Sequence, residues 1–275
     1  MKVISGIITY NPNTDELKKN VDAIKRQVNQ VVIIDNASRN ISDITDIFSD
    51  DSQISIIRNK KNYGVAMGLN QIMRYALDNG YTWVLTLDQD TFVYHSLISI
   101  YEKYVHMHDV AMINCQYIDR NYYDYRFYEQ KREFAYVNEC ITSGCLTNAE
   151  LVMKCGGFDN RMFIDLVDND MCATLRENGY KIVSVKHIGY LHSLGDVTKK
   201  KIFGYNLKLF HYSPMRIYYL SRNTIYYIRK HHSGYYRLII IARLMVSSVG
   251  LEDNRVRKLL AYIAGLIRGC FLRLE

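Results

Sequence analysis

Val31-Val32-Ile33-Ile34-Asp35-Asn36-Ala37-Ser38 sets four consecutive β-branched apolar residues directly before an acid, an amide and a serine. A run that is apolar on both faces belongs to a strand whose sheet is covered by helices on both sides. Working outward, residues 3–9, 54–58, 83–88 and 110–115 repeat the pattern, separated by amphipathic stretches at 14–28, 65–79 and 95–106. That alternation predicts βαβ units feeding a mostly parallel central sheet, an α/β architecture. Ligands on such sheets gather outside the carboxyl ends of the strands. Those ends are polar here: Thr9-Tyr10-Asn11-Pro12, Asp35-Asn36-Ala37-Ser38, the stretch from Asn59 to Asn62 before Gly64, and Asp88-Gln89-Asp90.

The bulk properties are those of an ordered globular chain. With 275 residues, 48% hydrophobic, 23% charged and only 2 Pro, disorder, collagen and coiled coil are excluded, and one large domain, or one domain with a small appendage, is expected. The six cysteines form no CxxC pair and no secretory leader precedes Val3, which predicts reduced thiols and a cytoplasmic location. The longest apolar stretch, 238–251, is interrupted by Arg243 and falls short of the ~18–20 residues that a spanning helix requires. A formal net charge of +7 suits anionic partners: nucleotides, anionic lipid surfaces or nucleic acid. No nucleic-acid-binding module is visible, so nucleic acid is not expected.

Beyond residue 115 the pattern weakens into a tyrosine-rich stretch (Tyr117, Tyr122, Tyr123, Tyr125, Tyr128, Tyr136) with a strand expected over 134–140. A second organised block follows: a helix over 149–154 ended by Gly156-Gly157, a helix over 168–178 stopped by Gly179, and a strand over 181–185. From Pro214 onward the reading is helical and basic. The expected division is therefore a catalytic domain over 1–213, with a nucleotide-binding half (1–115) and an acceptor half (116–213), and a basic amphipathic helical extension over 214–275.

Asp88-Gln89-Asp90 is the sharpest chemical feature. Two carboxylates one residue apart at a strand end can hold a hard divalent cation, which in turn neutralises a diphosphate. The chain has no GxxxxGK[ST] and no GxGxxG after its first strand, so kinase-like and dinucleotide-dependent readings lose their main support. A sheet that binds a diphosphate without a glycine-rich loop needs a metal.

The successive segments Ile8-Thr9-Tyr10-Asn11-Pro12, Ile34-Asp35-Asn36-Ala37-Ser38, Asn62-Tyr63-Gly64-Val65-Ala66 and Leu85-Thr86-Leu87-Asp88-Gln89-Asp90 resemble the motifs of family 2 glycosyltransferases. The later segments Ser143-Gly144, Gly156-Gly157-Phe158-Asp159, Phe163-Ile164-Asp165-Leu166-Val167-Asp168-Asn169-Asp170, His192-Ser193-Leu194-Gly195 and Arg216-Ile217-Tyr218-Tyr219-Leu220-Ser221-Arg222-Asn223 resemble its bacterial rhamnosyltransferase branch. The resemblance implies a GT-A fold and inverting transfer of a sugar from a nucleoside diphosphate donor to a glycan hydroxyl. The donor implied is dTDP-L-rhamnose, with UDP-galactose, UDP-galactofuranose or UDP-glucose as alternatives, and the product a cell-surface polysaccharide.

On the same resemblance, Thr9, Tyr10, Asn11 and Asp35 would line the base and ribose, with Asp35 accepting from the N3–H of uracil or thymine. Asn62 would hold the nucleoside and Asp88 the ribose or the metal. Asp90 and His192 would ligate Mg²⁺ or Mn²⁺, and Arg222 would touch the diphosphate or the acceptor. Asp168 would be the general base, with Asp165 and Asp170 as rivals, since direct displacement at an anomeric carbon requires one carboxylate to take the acceptor's proton. Helix capping is the competing role for Asp165 or Asp168.

In the last quarter, arginines and lysines alternate with Tyr, Ile and Leu, as in helices that lie on anionic membranes. That suits a polyprenyl-diphosphate-linked acceptor and a peripheral position at the inner membrane surface. Packing on the catalytic domain or in a homo-oligomer is the alternative. A rival of another class is a nucleotide-sugar-binding scaffold that has lost catalysis.

Overall fold

A computed structural model describes residues 1–120, 124–125, 132–192, 198–202 and 205–274. Tyr122, Tyr123 and Tyr128, and the Ser193-Leu194-Gly195 segment after His192, lie outside the described residues. The chain divides into two compact units, 1–161 with 168–193, and 162–167 with 194–275.

The first unit opens as the alternation predicts. β1 (Val3–Thr9), α1 (Thr14–Ile24), β2 (Gln30–Asp35), α2 (Ile41–Phe48), β3 (Ile54–Arg58), α3 (Val65–Asp78) and β4 (Trp83–Asp88) follow in order. β3, β2, β1 and β4 are neighbours in parallel, in register from Val31 opposite Ile54 to Ile8 opposite Asp88. Val31 to Ile34 are all fully buried, as a strand covered on both faces demands. α1 starts where Asn13 accepts a hydrogen bond from the Glu16 N–H at 3.1 Å. α2 carries Ile41, Ile44, Ile47 and Phe48 at helical spacing, a short segment that the expected alternation did not include.

The rest of this unit is β5 (Phe92–Val93), α4 (Leu97–Tyr101), β6 (Val110–Asp119), β7 (Asp124–Tyr125), β8 (Phe134–Tyr136), β9 (Cys145–Asn148), α5 (Ala149–Lys154), α6 (Val167–Glu177) and β10 (Lys181–His192). The sheet continues β4-β9-β6-β10-β5, and β9 runs antiparallel to both of its neighbours. The helix expected over 95–106 closes after one turn and a half, because Ser96 opens it in the left-handed region and the chain breaks into turns after Tyr101. The strand expected over 181–185 runs on to His192, pairing in parallel with β6 as far as Asp119 through two irregularities near Ile188.

The second unit holds β11 (Thr198–Ile202) and β12 (Tyr205–Leu209), an antiparallel hairpin, and then α7 (Pro214–His231), α8 (Tyr236–Leu251) and α9 (Arg255–Phe271). α7 begins with Pro214 in its first turn, and the Ser213 hydroxyl accepts from the Arg216 N–H at 3.2 Å. α9 packs on α7 through Gly265 and Gly269. A Cβ on Gly265 would stand 2.4 Å from the Tyr218 carbonyl oxygen, and one on Gly269 2.6 Å from that of Arg222. Because the obstacles are backbone atoms, Gly265→Leu is expected to lower unfolding free energy by at least about 1–3 kcal/mol. A urea midpoint equal to the parent's would refute that packing.

The segment 162–167 belongs to this second unit. Asp165 and Leu166 are successive left-handed residues, φ 65 and 61, a conformation costing on the order of 1 kcal/mol or more for each. Asn223 of α7 holds it there: its side-chain NH₂ donates to the carbonyls of Ile164 and Asp165 at 2.8 and 2.9 Å. Arg216 reaches one Asp165 oxygen at 3.2 Å, and Phe163 stacks on Tyr219 with centroids 5.0 Å apart.

Candidate active site

The carboxyl ends of β1, β2 and β3 are tied together by short polar side chains. Asp35 is fully buried; one carboxylate oxygen accepts from the Thr9 hydroxyl at 3.1 Å and the other from the Ser38 N–H at 3.0 Å. The Asn11 N–H donates to the Ser38 hydroxyl at 2.8 Å, and Asn11 in turn accepts from the Arg39 N–H at 2.8 Å. Asn36 and Asn59 bond side chain to side chain at 2.9 Å, and Asn62 accepts from the Gly64 N–H at 2.9 Å, which shapes the turn into α3. Over this network the rings of Tyr10 and Tyr63 are exposed. Tyr10 is linked to the fourth strand end, its N–H donating to Gln89 at 2.9 Å. Thr9, Tyr10, Asn11, Asp35 and Asn62 thus line one edge.

At the end of β4, Asp88 and Asp90 meet His192 from the end of β10, with one ligand atom from each inside 4.8 Å of the others. Two carboxylates and an imidazole form a donor set suited to a divalent cation such as Mn²⁺ or Mg²⁺. The imidazole is oriented for that use. Its Nδ1 lies 3.0 Å from the Thr91 hydroxyl, and its Nε2 faces Asp88 at 3.9 Å. Tyr117 meets the ring edge-on, centroids 5.6 Å apart. Burial holds the His192 pKa below the usual histidine value, although the carboxylates of Asp90, Asp119 and Asp168 pull it upward. A neutral imidazole keeps its lone pair for a metal.

Thr91 does more than touch the ring. Its hydroxyl lies 2.7 Å from that of Ser143, and Ser143 accepts from the Asp88 N–H at 3.0 Å. One pair of buried hydroxyls thus joins the acidic turn to the histidine.

Asp168 stands in the first turn of α6, half-buried, with the Thr142 hydroxyl donating to it at 3.0 Å. Asp170 is fully buried. Asp165, in the other unit, is engaged by Arg216, and its second oxygen is buried with no hydrogen-bond partner among the described residues. Burial raises the Asp165 pKa while the Arg216 charge opposes the rise. Arg222 is also in the second unit. Its guanidinium donates to Asn223 at 2.8 and 2.9 Å and lies 4.6 Å from the Tyr219 ring centroid.

Sequence reasoning missed Thr91, Thr142 and Asp119. Thr91 directly follows Asp90, so position alone could have flagged it. Asp119 emerges beside His192 only because β6 pairs with β10.

The chain is 29% identical over 97% of its length to dTDP-rhamnosyl transferase RfbF of Shigella flexneri, covering 95% of that protein. Among solved structures, S. aureus TarS 1–349 in complex with UDP-GlcNAc superposes with a TM-score of 0.57 at 14% identity, over 97% of this chain and 80% of that one. GalNAc-T7 with UDP, GalNAc and Mn²⁺ gives 0.64 at 10% identity, over 98% of this chain and 57% of that one. These likenesses bear on the fold, which is GT-A, as the motifs implied. The sequence model of Glycosyl transferase family 2 matches residues 6–166, from β1 to the turn that enters α6. Since that match spans more than half of the chain and every strand end that builds the site except His192, the protein belongs to family 2 and is a glycosyltransferase.

Proposed function

We propose that the protein is an inverting, metal-dependent rhamnosyltransferase that moves L-rhamnose from dTDP-L-rhamnose to a hydroxyl of a cell-surface glycan. The juxtaposition of Asp88, Asp90 and His192 beside Asp168 carries this reading, and the similarity to a dTDP-rhamnosyl transferase supports the donor. Residues 1–115 would hold the nucleotide, 116–213 the acceptor, and 214–275 the helical extension.

In this mechanism Tyr10 and Tyr63 offer exposed ring faces to the base. Asp35, whose oxygens each keep a lone pair after binding Thr9 and Ser38, accepts from the base N3–H. Asn11 and Asn62 shape the ribose side. Asp88, Asp90 and His192 would hold the divalent metal, which as a Lewis acid neutralises charge on the diphosphate. Asp168 removes the acceptor hydroxyl proton. The acceptor oxygen then forms its bond to the anomeric carbon as the carbon–oxygen bond to the diphosphate breaks, and the nucleoside diphosphate leaves with that electron pair. A single displacement inverts the centre. Thr142 donates to one Asp168 oxygen and so orients the carboxylate. Arg222, held by Asn223 and Tyr219, would neutralise diphosphate or acceptor charge.

A donor panel tests the assignment: turnover of dTDP-L-rhamnose with inversion is expected. Turnover of UDP-hexoses alone would redirect the donor. Nucleotide binding without any transfer would make the protein a scaffold. The hydroxyl pair gives a finer check. With a metal on His192 Nε2, Nδ1 carries the proton and donates to Thr91, so Thr91→Val is expected to weaken Mn²⁺ affinity about 10–100-fold, read by calorimetry. Unchanged affinity would remove Thr91 from the site. The acceptor is read as a polyprenyl-diphosphate-linked glycan, which would bring the enzyme to the inner membrane surface as a peripheral protein.

A further inference from the structure

The charge of this chain is unevenly placed. Residues 214–275 carry 11 Lys and Arg against 3 Asp and Glu, whereas the remainder carries 24 against 25. All of the net positive charge therefore sits with α7, α8 and α9. Within those helices several cations are already committed: Arg222 to Asn223, Arg229 to the carbonyls of Gly269 and Leu272, and buried Lys258 to Glu252 at 2.6 Å. Arg237 is buried against the rings of Tyr227 and Tyr236. α9 is different.

One face of α9 carries Gly265 and Gly269 and closes on α7. The opposite face presents Val256, Leu260, Ile263, Ile267 and Phe271, between 45 and 76% exposed. At about 100° per residue these five fall within a stripe about 80° wide. Arg255 stands about 120° to one side of the stripe's centre and Arg257 and Arg268 about 80–100° to the other, all three exposed. An apolar stripe bordered on both sides by arginines is the pattern of a helix that lies in the plane of a membrane interface. No helix among the described residues is long and apolar enough to cross a membrane.

We propose that this outer face of α9 docks on an anionic lipid bilayer, the stripe entering the headgroup boundary and Arg255, Arg257 and Arg268 meeting lipid phosphates. Charge chooses this occupant over a second copy of the chain. A dimer through the stripe would bring two sets of arginines within a Debye length of about 8 Å, where like charges repel. An anionic surface attracts the same residues. The inference deepens the lipid-linked-acceptor reading and rests on it for its purpose.

The test is flotation of the full chain with vesicles of phosphatidylcholine alone or with about a quarter phosphatidylglycerol. Wild type is expected to float with the anionic vesicles and at least tenfold less with the neutral ones. Leu260→Glu with Ile267→Glu is expected to reduce anionic flotation at least tenfold. Arg257→Gln with Arg268→Gln should erase most of the preference for phosphatidylglycerol. These side chains are exposed, so both variants should keep the parent's melting temperature. Wild type that stays off anionic vesicles, or a glutamate pair that floats like wild type, would overturn the proposal. So would a concentration-dependent dimer in sedimentation that the glutamate pair abolishes. Transfer to a water-soluble acceptor analogue separates the two readings: turnover without vesicle binding sinks only the docking face, and vesicle binding without turnover sinks only the catalytic assignment.

Discussion

Asp168→Asn is expected to bind donor nucleotide and metal about as well as the parent and to turn over at least ~100-fold more slowly. The substitution keeps the shape of the side chain and a carbonyl oxygen for the Thr142 hydroxyl, so the local structure should persist. What it removes is the capacity to take a proton. A loss of that size corresponds to about 2.7 kcal/mol of transition-state stabilisation. The measurement is kcat alongside the calorimetric dissociation constant for dTDP, because a role confined to folding would move both. A near-parental kcat would transfer the role to Asp170, since Asp165 is occupied by Arg216 and held in a strained turn.

Asp90→Ala is expected to abolish metal-dependent nucleotide binding altogether, leaving only the weak affinity of the base and ribose contacts. Titration of dTDP with and without Mn²⁺ reads this directly, and dTDP affinity that still responds to Mn²⁺ in the variant would show that Asp90 is no ligand. His192 gives the same site a pH dependence. Burial depresses its folded pKa, so the imidazole is neutral throughout the neutral range and proton competition for Nε2 begins only below the ordinary histidine value. Metal-dependent dTDP affinity should therefore be flat above pH ~6.5 and fall on acidification below it.

The parallel strands were legible because a buried parallel strand must be apolar on both faces, and residues 31–34 leave no other reading. The acidic turn was legible because it ends such a strand. β9 was not, since Cys145-Leu146-Thr147-Asn148 is short and has no period of its own; only insertion between β4 and β6 makes it a strand. The hairpin of β11 and β12 was hidden for a similar reason, its first strand Thr198-Lys199-Lys200-Lys201-Ile202 reading as a charge run. His192 was found through its motif, but its hydroxyl partners depend on Ser143 and Thr91, 49 and 101 residues away in sequence, meeting in space. The basic helices were legible as a composition, whereas which arginines face outward followed from where two glycines let α9 close on α7.

The turn that leads into α6 has a consequence for biosynthesis. Its two left-handed residues are held by Asn223, 58 residues later than Asp165. At ~5–20 residues per second, the stretch from Phe163 to Val167 waits about 3–12 s in the nascent chain before its clasp is made. A ribosome that stalls or terminates before α7 would therefore release a chain whose parallel strands are all present but whose left-handed turn at Asp165 and Leu166 lacks the Asn223 clasp.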